Sequence, residues 1–224
     1  MKFFLVLITL AQCAFAQLPN ELNQNDYKRI DDGEYLFKTK EVKGLPWPQI
    51  TVYKTIEATS LESVAVFYAL EHQPSYIPNL IKAKVVKQRV PTEADVQYEL
   101  EMPWPLSNGK YIHGHKLEQK ETSTYKVSWW LVKSNTAKKV NGSATFYPYK
   151  GKTLLKYDSL VVPDSILASL VEKKMLEDVK SSLVAIHNEV LRVKKSDRKL
   201  MSKFVNKIDS ALSGKFTYLT KKND

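Results

Sequence analysis

Three features of this sequence predict an α+β fold: an antiparallel sheet built as a meander and packed on one long C-terminal helix. Residues 164–193 form the only long run before the tail whose apolar side chains keep an unbroken helical period. Leu176, Val179, Leu183, Ile186, Val190 and Val193 step by three and four, and Leu167, Val171 and Met175 lead in at steps of four. Upstream, six segments rich in β-branched and aromatic residues (84–90, 95–102, 110–120, 124–133, 140–149 and 153–162) are separated by short turn signals. Strands joined in that way pair antiparallel. A helix of about 30 residues is about 45 Å long at 1.5 Å per residue, so it needs a broad sheet beneath it.

The first residues read as an address rather than as fold. After Met1-Lys2 comes an apolar run over 3–10, broken only by Thr9, and Ala14-Phe15-Ala16 is the small-residue pattern that signal peptidase cuts after. Residues 1–16 are therefore expected to be removed, with Gln17 as the mature N-terminus and the protein exported, periplasmic or secreted. Leu10-Ala11-Gln12-Cys13 offers a competing lipoprotein reading, but Gln12 is too large and polar for the position before a lipidated cysteine. Cys13 is the only cysteine, so a chain starting at Gln17 has neither a disulfide nor a thiol nucleophile. The formal charge of +10 is unevenly spread: 194–224 carries nine Lys/Arg against three Asp, while 17–193 carries 24 against 21. The body is nearly neutral, which argues against a nucleic-acid partner.

Taken in order, 17–33 is a polar leader, either mobile or a short helix. Residues 34–42 alternate loosely as a first strand, 44–48 (GLPWP) break the chain, and 50–58 alternate strictly with many β-branched residues. Thr59 followed three residues later by Glu62 has capping-box spacing, so a short helix runs to about residue 70. Pro74 and Pro78 bracket a second helical piece over 76–83. Pro91, Ser107-Asn108-Gly109, Asn135 and Lys150-Gly151-Lys152 separate the strands that follow, and Pro163-Asp164-Ser165 stops the last strand and caps the long helix. In the basic extension 194–224, Met201, Phe204, Ile208 and Leu212 form a stripe, so 196–213 reads as an amphipathic helix stopped by Gly214. It has two uses open to it: docking its stripe on the domain, or lying on an anionic membrane surface.

Chemistry-bearing groups are few. His113-Gly114-His115 places two imidazoles on one side of a strand. A metal site needs further ligands, and His72 and His187 stand in other elements without ligand spacing, so no metal and no cofactor is expected. Gly114 between them points to a bulge or a close backbone approach. Asp158 beside Tyr157, and Glu118 near His115, would make acid–base pairs only if turned inward. There is no phosphate loop, nucleophile elbow or dinucleotide fingerprint. Adjacent Trp129 and Trp130 must face opposite sides of a regular strand.

This order, carried by IEATSLESVAVFYALEHQPSYIPNLIKAKVV, ELEMPWPLSNGKYIHGHKL, YKVSWWLV and FYPYKGKTLLKYDSLVV ahead of the long helix, resembles the START-like lipid-binding domains of the helix-grip superfamily over residues 34–193. Met102-Pro103-Trp104-Pro105 is the most specific part. Where many relatives follow it with an Arg-Asp pair before an aromatic, this chain has Gly109-Lys110-Tyr111, and Tyr76-Ile77-Pro78 stands where they often have a tryptophan. The resemblance implies a helix-grip fold, a curved antiparallel sheet wrapped around the C-terminal helix, enclosing an apolar cavity for a lipid or other hydrophobic molecule. The expected lining residues are Tyr98, Met102, Trp104, His113, Trp129 and Tyr157 from the sheet and Leu176, Val179 and Leu183 from the helix. The expected function is a monomeric binder or carrier. Two alternatives stay open, an enzyme with cyclase- or aromatase-like acid–base chemistry and a partner-binding module with a filled core.

Overall fold

The computed structural model describes residues 18–102, 107–163 and 168–218, the last segment by its backbone alone over 168–175. Eight antiparallel strands form one sheet in the order β1-β2-β8-β7-β6-β5-β4-β3. They are β1 (Leu36–Lys40), β2 (Gln49–Ile56), β3 (Leu80–Val90), β4 (Glu93–Leu100), β5 (Gly109–Glu121), β6 (Thr124–Ser134), β7 (Ala137–Tyr149) and β8 (Lys152–Pro163). From β3 to β8 each strand pairs with the next in sequence, as short turns require, while β2 crosses over to pair with β8.

Because side chains alternate across a strand, this register divides the sheet into two faces. One face presents Val96, Tyr98, Tyr111, His113, His115, Trp129, Phe146, Tyr157 and Val52, and it packs against the helices as one large core. The other face carries a smaller core of Tyr53, Tyr149, Leu154 and Leu36 under α1 (Gln24–Asp31). The polar leader is thus helical where it is described. Asn23 Oδ1 accepts from the Asp26 amide at 2.9 Å, Asp26 accepts in return from the Asn23 amide at 3.2 Å, and Lys38 pairs with Asp26 at 2.7 Å.

The capping box at Thr59 and Glu62 is present and starts α2 (Ser60–Phe67), which is buried along most of its length between sheet and C-terminal helices. The expected helix over 76–83 does not form. A 3-10 turn occupies Leu70–Ser75 instead, and β3 begins at Leu80. Pro78 biases Ile77 toward extended backbone, Asn79 takes a left-handed φ of 61°, and pairing of Leu80 with Leu100 then draws the chain into the sheet.

The long helix α3 spans Ala168–Ser196 and buries Leu183, Ile186, Val190 and Val193 in the main core. Residues 164–167, where its start and cap were expected, lie outside the described residues. A second helix, α4 (Arg198–Leu212), follows after Asp197 and turns Met201, Phe204, Ile208 and Ala211 into that core against α2 and α3. Gly214, at φ 83°, ends it. Its amide and that of Lys215 donate to the Ala211 and Ser210 carbonyls, the paired bonds of a Schellman stop. Beyond it the Tyr218 hydroxyl donates to Tyr68 O at 2.6 Å and accepts from the Leu70 amide at 3.1 Å, while Lys207 lies over its ring. Of the two uses open to the amphipathic extension, docking is the one observed.

Trp129 and Trp130 occupy opposite faces, and each indole lies over a glycine of a neighbouring strand. A Cβ on Gly142 would come within 2.2 Å of the Trp129 ring, and one on Gly114 within 2.3 Å of Trp130. Gly114 is therefore a close-approach position, next to a register shift between Ile112 and His113.

The buried stripe of α4 makes a direct prediction. Ile208→Ala should lower the unfolding free energy by about 2 to 5 kcal/mol, whereas exposed Lys203→Ala should change it by less than about 0.5 kcal/mol. Chemical denaturation followed by circular dichroism reads both, and equal, small effects would show that α4 is not part of the core.

Candidate functional site

The face turned toward the helices carries a cluster of rings at its β4–β5 end. Cross-strand pairing sets Tyr98 opposite Tyr111, Val96 opposite His113 and Ala94 opposite His115. Period-two spacing therefore brings Tyr111, His113 and His115 out in a row beside Tyr98. Ring centroids lie 5.3 Å apart for Tyr98–Tyr111, 4.5 Å for Tyr111–His113, 5.7 Å for Tyr98–His113 and 6.2 Å for His113–His115. Across the sheet, Trp129 and Tyr157 form a second pair at 5.2 Å, and Phe67 of α2 packs on Trp129 at 6.1 Å.

A hydrogen-bonded chain runs through the cluster from the 3-10 turn. Gln73 Nε2 donates to Phe67 O at 3.1 Å, the Tyr98 hydroxyl donates to Gln73 Oε1 at 3.1 Å, and His115 Nε2 meets the same hydroxyl at 2.9 Å. His115 Nδ1 and the Tyr76 hydroxyl are enclosed and have no partner among the described residues.

Burial dominates the electrostatics. It drives the His113 pKa down to about 4 and the His115 pKa down to about 3, with the neighbouring His113 adding to the second shift. Both rings are therefore neutral at pH 7. Burial likewise raises Tyr98, Tyr111 and Tyr76, and lifts Tyr157 to about 12 against the opposing hydrogen bond with Ser159. Tyr111, His113 and Tyr157 nevertheless keep part of their surface free and are only half-buried by area. Desolvation and free surface coexist on the same side chains.

The expected lining residues fall into three groups. Tyr98, His113, Trp129 and Tyr157 share the helix-facing side of the sheet, and Leu176 and Val179 are half-buried on α3 against the same core. Leu183 is 2% exposed and is packed within the core itself. Met102 is half-buried just past the end of β4, and Trp104 lies outside the described residues. The structure adds Tyr111 and His115, whose spacing from His113 signals their shared face, and Gln73 and Tyr76, which no sequence pattern ties to them. The acid–base pairs that required inward carboxylates do not form. Asp158 turns to the opposite face and accepts from Thr51 at 2.7 Å, and Glu118 turns there too and accepts from Lys120 at 2.9 Å. Among the described residues no three ligating side chains gather as a metal would require. A shallow polar cleft on that opposite face, lined by Leu18, Glu21, Lys126 and Tyr147, is remote from the ring cluster.

No protein-family model and no curated protein sequence matches the chain. Solved structures do match in fold. A STAR-related lipid transfer protein from Xanthomonas axonopodis superposes with a TM-score of 0.62 at 16% identity, over 70% of this chain and 98% of that one. Human STARD10 gives a TM-score of 0.62 at 11% identity, over 92% of this chain and 94% of that one. The Zhui aromatase/cyclase from Streptomyces sp. R1128 gives 0.58 at 10% identity, over 66% and 96%. The chain therefore has the START-like helix-grip fold, a curved antiparallel sheet against C-terminal helices, as its residues led one to expect.

The two depressed imidazoles give the site a pH signature. Their folded pKa values lie below the ordinary 6.5, so the unfolded chain binds more protons between these values. The stability tied to neutral rings is complete above pH 6.5 and is lost as pH falls toward 4 and 3. A His113→Gln/His115→Gln variant should lack that loss. The stability difference between wild type and variant should shift by up to about 4 kcal/mol between pH 7.5 and 5, at about 1.4 kcal/mol per pH unit per group. Denaturant titrations at the two pH values test it, and parallel behaviour would mean that the rings remain solvated.

Proposed function

We propose that this protein is an exported, non-catalytic START-like domain that binds or carries a hydrophobic molecule in a cavity between the sheet and α3. The observation that carries the reading is the double character of Tyr111, His113 and Tyr157, which keep free surface and yet are desolvated. Such surface is what an enclosed space would leave, and it supports the cavity reading. The half-buried Leu176 and Val179 offer it an apolar wall from the helix, and Trp129 and Tyr157 an aromatic one from the sheet. The lipid-transfer neighbours support the ligand class.

The superfamily also includes enzymes, as the aromatase/cyclase neighbour shows for its own chain. Here Asp158 and Glu118, the carboxylates that could have formed acid–base pairs, point to the other face, and the imidazoles titrate too low to act as bases that take up a proton near pH 7. That favours binding over catalysis. Contact with an anionic membrane would rest on exposed lysines of α4 such as Lys199 and Lys203, because its apolar stripe is buried in the domain. We take the protein to act as a monomer without nucleic acid, after removal of residues 1–16; N-terminal sequencing of the exported protein should then begin at Gln17.

Diphenylhexatriene, a neutral apolar fluorophore, should bind saturably at about one site per chain. Substitution on α3 separates cavity from core. Val179→Trp, at a half-buried position, should weaken the probe about tenfold with little change in melting temperature. Leu183→Trp, within the packed core, should instead cost about 1 to 3 kcal/mol of stability. If both tryptophans only destabilise and the probe never saturates, the interior is a filled core and the protein is a binding module of another kind.

A further inference from the structure

The β4–β5 end of the helix-facing side holds more hydrogen-bonding capacity than the described residues use. Donation from Gln73 Nε2 to Phe67 O orients that amide, so its Oε1 is the acceptor presented to Tyr98. With its own proton given to Gln73, the Tyr98 oxygen can only accept from His115. The proton of the neutral His115 ring therefore sits on Nε2, and Nδ1 carries a bare lone pair. His115 is 6% exposed, and Nδ1 meets no partner among the described residues. Its neighbour His113 is half-buried on the same face, with the rings of Tyr98, Tyr111 and His115 beside it. Polar atoms buried without partners are costly, and the enclosed lone pair of His115, beside a second imidazole with free surface, calls for a partner that the described residues do not supply.

We propose that Tyr98, Tyr111, His113 and His115 form a subsite for the neutral hydroxyl of an otherwise apolar ligand, an assignment that rests on the cavity reading above. A hydroxyl both donates and accepts, and a neutral imidazole offers it one lone pair and one N–H. An ether lacks the donor, and a carboxylate or phosphate lacks it too and brings a charge. Among the described residues at this end of the sheet, none would receive that charge. The described side chains that β3 to β7 present on this face are uncharged. Lys54 stands four strands away on β2 and donates to Gly33 O, and Lys207 lies over the Tyr218 ring. On the helix side, Glu189 brings a negative charge, held by Arg192 at 2.7 Å and His72 at 2.7 Å.

Displacement of diphenylhexatriene from the full-length protein at pH 8 tests this, with 1-tetradecanol, its methyl ether and tetradecanoate as competitors of equal chain length. The alcohol should displace the probe at about tenfold lower concentration than either of the others, the gain expected of one hydrogen bond to a buried group. His113→Phe should collapse that preference, and His113→Asn, which restores a donor and an acceptor, should recover most of it. Equal displacement by alcohol and ether, or preference for the carboxylate, overturns the subsite while leaving the cavity standing. Absence of probe binding overturns the cavity, and the subsite with it. Should the phenylalanine variant fail to fold, the wild-type comparison of alcohol with ether decides alone.

Discussion

Two indoles lying on two glycines set the register at the centre of this sheet. Trp129 covers Gly142 on the helix side and Trp130 covers Gly114 on the other, and any side chain at either glycine would collide with the ring above it. A slip of one residue between β5 and β6 would place Trp130 over a residue with a Cβ and turn His113 and His115 to the opposite face relative to β6, and a slip between β6 and β7 would do the same to Trp129. The identity of the helix-facing surface thus depends on where backbone is left bare. Curvature can develop around these points because the indole is in contact with the strand itself rather than with another side chain.

Against that surface the C-terminal helices close unevenly. From Leu183 onward α3 is fully packed, with Ile186, Val190 and Val193 buried and α4 laid alongside. That end is also held by charge. Burial opposes ionisation of Glu189, but hydrogen bonds from Arg192 and His72 outweigh it and keep its carboxyl below the usual range. Lys194 reaches Glu62 at the start of α2 at 3.0 Å. Toward Leu176 and Val179 the same helix is only half-buried. Packing is complete where α2, α3 and α4 meet and looser toward Leu176 and Val179, where, on the proposed reading, a guest molecule would supply contacts.

Among the described residues, the β4–β5 end of the helix-facing side is polar without being charged. Histidines and tyrosines at the β4–β5 end carry hydrogen-bonding groups, yet desolvation holds the former below and the latter above the neutral range, so none contributes a charge at pH 7. Such groups stabilise the fold less than hydrophobic residues of the same size would when their bonds are unfilled. On the proposed reading, ligand binding offsets that cost, and a neutral partner is the one these groups favour.

Much of the architecture is local and was therefore legible in the residues alone. The strand run, the capping box at Thr59, the 3.6-residue stripe of α3 and the stop at Gly214 each depend on backbone geometry and side-chain period within a few residues. The same period placed His113 and His115 on one side, and the opposed faces of Trp129 and Trp130 followed from it too. The short helix expected over 76–83 failed because pairing of Leu80 with Leu100, twenty residues on, outweighed a weak local preference. Distance in sequence also hid Gln73 and Tyr76, and it hid the inward or outward sense of Asp158 and Glu118, since alternation says which residues share a face but not which face meets the helices. Whether the stripe of α4 docked was equally undetermined, because an amphipathic helix is complementary to any apolar surface. Only the assembled fold, in which α2 and α3 leave a face that Met201, Phe204 and Ile208 fill, decided it.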